Sequence, residues 1–196
     1  NVIIVTAVAQ GQNRLESSVS VSALDAESIA DLNPSSSADL IRQIPGIRSE
    51  ASGGEGNANI AVRGIPVPTG GARYIQLQED GLPVLEFGDI VFGNADNFVR
   101  ADRNVGRVEA VRGGSASTFA SNSPGGVINF ISKTGLEEGG AVAGTTGIDP
   151  ETSRLNFAYG RPPDPTRHFH RAAFYPTRPA RRATGLHRTQ ARHSHA

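Results

Sequence analysis

The chain contains no cysteine, which excludes a disulfide framework and a thiolate metal site. It also lacks any apolar run near the roughly 18 residues of a transmembrane helix, so no helical span is expected. Methionine is absent too, and no basic segment followed by an apolar one opens the chain. The expectation is a mature or excised product, with a removed signal peptide upstream. Glycine and proline, by contrast, number 23 and 12 in 196 residues, which favours a loop-rich fold over a helix bundle. With hydrophobic residues at 37%, the chain holds material for one domain with a core and something left over.

The formal net charge of zero conceals two unlike parts. Residues 1–160 carry 11 basic and 18 acidic side chains, a net of −7. Residues 161–196 carry eight arginines and one acid, Asp164, a net of +7. All five histidines fall in this second part, but only one of the 23 glycines does. The shift marks a boundary near Gly160.

Along the chain, residues 1–7 (NVIIVTA) form a short β-branched run with nothing immediately downstream to pair with, and Gln10–Asn13 is a polar break. Val19 and Val21 alternate with serines as a strand does. Asp25–Leu32 reads as a short amphipathic helix. Ser36 with Asp39 makes a capping box before Leu40 and Ile41, and Pro45-Gly46 stops the second helix. Ile47 resumes an extended chain, and Ile60–Arg63 is a short strand. Tyr74–Leu77 and Leu82–Leu85 are two strands across a tight turn, because Asp80-Gly81 accepts positive φ. Gly106–Arg112 and Gly126–Ser132 are strands, with a helical turn at Ser117–Ala120 between them. Ala141–Thr146 and Arg154–Tyr159 are two more, across a turn at Asp149-Pro150. Gly53–Asn59, Pro66–Ala72 and Phe87–Asn97 are loops. Short strands and helices without a βαβ rhythm define an α+β class.

Six segments in this order resemble the plug domain of TonB-dependent outer-membrane receptors. They are NVIIVTA (1–7), LIRQIPGIR (40–48), IAVRG (60–64), LQEDGLPV (77–84), RVEAVRGGSAS (107–117) and SPGGVINFISKTG (123–135). Together they cover about residues 1–135, and GGVINFISK is the most specific. Gly114 and Phe119-Ala120 are mild departures, where the family often has Pro and Tyr-Gly. The resemblance implies a small mixed β-sheet with short helices and long loops, lodged in a barrel of about 22 strands. It further implies import of a scarce nutrient, such as a metal chelate, vitamin or glycan, driven through TonB. The implied location is the outer membrane, with the plug inside the barrel and the N-terminus on the periplasmic side. The expected organisation is a TonB-box-like segment at 1–7, a plug domain at 8–135 and incomplete first barrel strands at 136–160. A basic, irregular and disordered tail at 161–196 completes it.

The resemblance makes Val2, Ile3, Ile4, Val5, Thr6 and Ala7 a TonB box, bound by the TonB C-terminal domain. The residues agree: an unpaired β-former with free main-chain groups can add a strand to a partner sheet. An ordinary first strand of the plug sheet is the alternative. Arg63 and Arg112 each end an apolar strand, where a guanidinium near a core is costly unless a carboxylate pairs with it. Glu109 is a possible partner within the chain, or equally a solvated strand residue. The resemblance implies that Arg63 and Arg112 also meet acidic side chains on the barrel wall. Two solvated surface arginines are the plainer reading.

No catalytic constellation is expected. Glu79 and Asp80 are adjacent carboxylates, but strand neighbours face opposite ways and Asp80 is explained as a turn former. Gly113-Gly114-Ser115 lacks the lysine and helix of a phosphate-binding loop. His168-x-His170 and His193-x-His195 lack further ligands, so neither a metal site nor another cofactor is expected. Gly125 and Gly126 supply backbone freedom ahead of a buried strand, and Asn129 is expected to bond to the backbone. The three loops named above are candidates for a ligand-facing end. After RLNFAYG (154–160) the alternation lapses and the composition changes, as after a reading-frame shift in a GC-rich gene. A selected basic tail that binds nucleic acid is the alternative, and no nucleic-acid partner is expected. The functional expectation is a plug fragment that does not transport alone, with a free-standing periplasmic module for TonB or a ligand as the runner-up.

Overall fold

The computed structural model describes residues 3–4, 6, 12–13, 20–51, 58–66, 74–84, 99, 101–113, 125–135, 138–148, 151–164 and 167–177. Two compact units divide between Lys133 and Thr134.

In the first unit, β3 (Val21–Asp25) runs directly into α1 (Ala26–Leu32). Asp25 makes the transition by capping: its carboxylate accepts from the Ser28 N–H at 2.9 Å, satisfying a donor that the first helical turn leaves open. Asn33 ends α1 in the left-handed region at φ 42°, a conformation asparagine tolerates. Ser36 caps α2 (Ser37–Arg42) by accepting from the Asp39 N–H at 3.2 Å. Asp39 does not complete the box on Ser36; its carboxylate accepts from Ser35 instead. Gly46, at φ 80°, then turns the chain into β4 (Ile47–Ala51), which pairs antiparallel with β5 (Ala58–Val62).

The centre of this unit is a five-stranded sheet in the order β3-β8-β9-β6-β7. Its other strands are β6 (Ile75–Glu79), β7 (Leu82–Pro83), β8 (Val105–Arg112) and β9 (Gly126–Ser132). Only β6 and β9 pair in parallel, so the sheet is mixed. Asp80 at φ 51° and Gly81 at φ 84° form the tight turn between β6 and β7, the geometry Asp-Gly favours.

Period-2 alternation gives this sheet two unlike faces. One carries Leu24, Ile75, Leu77, Val108, Ala110, Ile128 and Phe130, which share a core with Leu40, Ile41 and Ile44 around α2 and with Ile47, Ile60 and Val62 of the hairpin. The other carries Gln76, Gln78, Arg107, Glu109 and Asn129 beside Val21, Val111 and Val127, and all of these except Arg107 are buried. Gly125 and Gly126 are needed for space rather than for positive φ. A Cβ on Gly126 would stand 2.7 Å from the Val111 carbonyl oxygen, and one on Gly125 would stand 2.9 Å from that of Tyr74.

The N-terminal run is not unpaired. β1 (Ile3–Ile4) forms a short antiparallel ladder with β2 (Gln12–Asn13), joining Ile3 to Asn13 and Ile4 to Gln12. The polar stretch expected to be a break supplies the partner, because ladder bonds are made by the main chain whatever the side chains.

The second unit is a three-stranded antiparallel meander of β10 (Gly139–Ile148), β11 (Glu151–Asp164) and β12 (Arg167–Thr177). This corrects the expectation of an irregular tail from residue 161. β11 crosses the composition boundary at Gly160 without interruption, and β12 pairs back along it from Arg167 to Thr177. A register shift between Arg161 and Asp164 accommodates Pro162 and Pro163, as bulges commonly do. On β11, exposed Leu155, Phe157 and Tyr159 alternate with buried Asn156 and Ala158. The loops at 52–57, 67–73 and 85–98, the helical turn at Ser117–Ala120, the Asp149-Pro150 turn and residues 178–196 lie outside the described residues.

Candidate functional site

The polar face of the sheet is where the N-terminal segment attaches. Thr6 lies in the loop between β1 and β2, and it is buried at 6% exposure. Its backbone N–H donates to Glu109 Oε2 at 2.6 Å. Its hydroxyl oxygen accepts from Asn129 Nδ2 at 2.9 Å. Glu109 and Asn129 are cross-strand partners on β8 and β9, so one residue engages the two central strands at once.

Glu109 has no exposed surface, and a buried carboxylate needs a counter-charge and hydrogen bonds to remain ionised. Arg107 provides the charge, with Nε 2.8 Å from Glu109 Oε1. The approach lies off the N–H direction, so it acts as an ion pair more than as a hydrogen bond. Arg107 is two residues from Glu109 and on the same face of β8, whereas Arg112 is three residues away and on the other. The carboxylate considered as a partner for Arg63 and Arg112 therefore has a different guanidinium beside it.

Asn129 has a second partner. Its Oδ1 accepts from the Gly81 N–H at 3.0 Å, which is the backbone role expected of it, while its amide nitrogen reaches Thr6. Next to it, Asp80 accepts from the Ser132 N–H at 2.7 Å and donates its own N–H to the Phe130 carbonyl. Asp80 is thus a turn residue bonded to β9. Gln78 donates to Gln76 at 2.6 Å, so the same face carries a further internally bonded pair.

Arg63 and Arg112 meet at a separate place. Both guanidiniums reach the Ser20 hydroxyl, at 3.4 and 3.3 Å, and Arg112 also donates to the Pro45 carbonyl. Gly46 lies beneath them: a Cβ there would stand 3.4 Å from Arg112 Nη1 and 3.5 Å from Arg63 Nε. Arg63 occupies φ 38°, ahead of Gly64 at φ 76°. A left-handed arginine is disfavoured by about 1 kcal/mol, so the Arg63-Gly64 turn holds this side chain in a position a relaxed strand end would not.

A cavity of about 230 Å³ opens between Glu79, Val99, Asp102, Asn104, Phe130 and Ser132. Burial, followed by the nearby Arg103, holds the Lys133 pKa below its ordinary value, while Asp102 acts the other way. Among the described residues no group of three or more potential ligands is arranged for a metal.

The profile of the TonB-dependent receptor plug domain matches residues 13–127; the chain belongs to this family. Over 141 residues it is 32% identical to the ferric enterobactin receptor of Pseudomonas aeruginosa, covering 65% of this chain and 18% of that protein. Over 152 residues it is 30% identical to the vitamin B12 transporter of Photobacterium profundum, covering 74% of this chain and 22% of the relative. The chain thus spans about a fifth of the length of these relatives. Solved structures share the fold. The alcaligin outer-membrane receptor of Bordetella pertussis aligns with TM-score 0.62 at 21% identity, covering 90% of this chain and 29% of that one. A ferric enterobactin receptor variant from P. aeruginosa aligns with TM-score 0.61 at 22% identity, covering 89% and 26%.

Proposed function

We propose that this chain is the gating module of an outer-membrane importer for an iron chelate or a vitamin, and that residues 1–7 bind the TonB C-terminal domain by strand addition. The observation that carries this reading is that, among the described residues, the N-terminal segment meets the five-stranded sheet through hydrogen bonds at Thr6. A partner sheet offering Val2, Ile3, Ile4, Val5, Thr6 and Ala7 a longer ladder could take over these main-chain and side-chain bonds. The three described strands of the second unit do not by themselves close a barrel, and a closed barrel is needed to span a bilayer.

Titration of the chain with a TonB C-terminal domain tests the partner assignment. Val5→Pro deletes a backbone donor and should weaken binding by about tenfold or more, consistent with main-chain recognition. Equal affinity of both chains would exclude strand addition.

Arg63 and Arg112 form a paired cationic fork for acidic side chains on the barrel wall. Their convergence over Gly46 supports this, since two guanidiniums held together suit carboxylate recognition. With a co-expressed barrel, Arg63→Ala should reduce plug association while changing the melting temperature of the plug alone little. Unfolding of the isolated plug by that substitution would show that the partner is internal.

A further inference from the structure

We infer that Asn129 is a clasp coupling the docked N-terminal segment to the Asp80-Gly81 turn, so that release of either loosens the other. The argument starts from the donor inventory of one side chain. A backbone N–H can only donate, so Gly81 fixes Asn129 Oδ1 toward the turn at 3.0 Å. The same amide must then present its NH₂ to Thr6, whose hydroxyl oxygen accepts at 2.9 Å. Each contact orients the amide for the other.

Asn129 is 3% exposed and sits on a strand paired on both edges. Water therefore does not readily substitute for a lost partner, and a broken bond is felt by its neighbour. Glu109, opposite Asn129 in the ladder, takes the Thr6 N–H. Departure of Thr6 thus removes one partner from each of two adjacent buried groups, and the amide is free to rotate away from Gly81. Asp80 anchors the other side of the turn to β9 through the Ser132 N–H and the Phe130 carbonyl, so the turn keeps these attachments when the clasp opens. Gln76 and Gln78 share this face and bond to each other.

The coupling is intramolecular; its use as a signal rests on the proposed role of residues 1–7. Hydrogen exchange on the full chain, with no partner added, tests it separately. Thr6→Val removes the hydroxyl acceptor with little change in shape and should speed exchange of the Gly81 amide about tenfold, while Thr6→Ser retains the slow rate. Amides of α2, such as Leu40, should keep their rates in both variants. Conversely, Asp80→Ala, which loosens the turn, should speed exchange of the Thr6 amide. Gly81 exchange that is the same in Thr6→Val as in the unaltered chain would overturn the clasp, as would equal acceleration by Thr6→Val and Thr6→Ser. If Thr6→Val also lost α2 protection, the Asp80→Ala arm decides, and an unchanged Thr6 amide there counts against the clasp. Failure of TonB to bind would leave these rates as they are and would count only against the functional reading.

Discussion

The two faces of the five-stranded sheet use the same strands for opposite ends. Phe130 and Asn129 are adjacent on β9, 2% and 3% exposed, yet one packs into the apolar core and the other bonds to Thr6 and Gly81. Apolar burial is non-directional and holds the unit together. Hydrogen bonds to the N-terminal segment add little net stability but specify where that segment sits. The contrast separates the contacts that hold the unit folded from those that place the segment.

The largest expected effect falls on the apolar face. Phe130→Ala should cost about 3–5 kcal/mol, read as a lower urea midpoint for the first unit. A loss no greater than that of Asn129→Ala, expected at about 1–3 kcal/mol, would erase the distinction between the faces. Next comes Arg107→Ala, which removes the guanidinium 2.8 Å from the buried Glu109 carboxylate. The expected loss is about 2 kcal/mol, below the usual range for a broken buried pair because the arginine is 26% exposed. Glu109→Gln combined with Arg107→Ala should restore part of it, since both charges of the pair are then removed together. A double variant as unstable as Arg107→Ala alone would mean that packing of the arginine stem matters more than its charge.

The smallest effect tests a helix cap remote from either face. The Ser28 N–H bonded to the Asp25 carboxylate holds its pKa below the ordinary value. A folded pKa below the unfolded one contributes stability above the unfolded value of about 4, and this is lost as pH falls through the folded value. Asp25→Ala should cost about 1 kcal/mol at neutral pH and less as pH falls through the folded pKa. A pH-independent difference between the two chains would remove the charge from this account of the cap.

Local chemistry was largely legible from the residues. β9 runs from Gly126 to Ser132, the bounds read for it from the residues, and the Asp80-Gly81 turn and the Ser36 cap of α2 follow from side chains within four residues of one another. The polar face was not legible. Thr6 and Glu109 are 103 residues apart, and Thr6 and Asn129 are 123 apart; nothing about a threonine, a glutamate or an asparagine announces such a meeting. Arg107 is a different case, since period 2 places it beside Glu109 and sets Arg112 on the opposite face. Arg112 stands out in the sequence by its strand-end position, whereas Arg107 is marked only by its spacing from Glu109. β12 was missed because pairing through the main chain tolerates the Arg- and Pro-rich composition that was read as disorder.

The central claim is that the N-terminal segment exchanges its contacts with the sheet for a partner while the core stays folded. Hydrogen exchange of the full chain with a TonB C-terminal domain added at saturation measures both halves together. The account predicts that the Gly81 amide exchanges faster once Thr6 is drawn away, while the amides of Val108, Ile128 and Phe130 keep their protection. Unchanged Gly81 exchange at saturating partner, or loss of protection across β8 and β9 together, would contradict it.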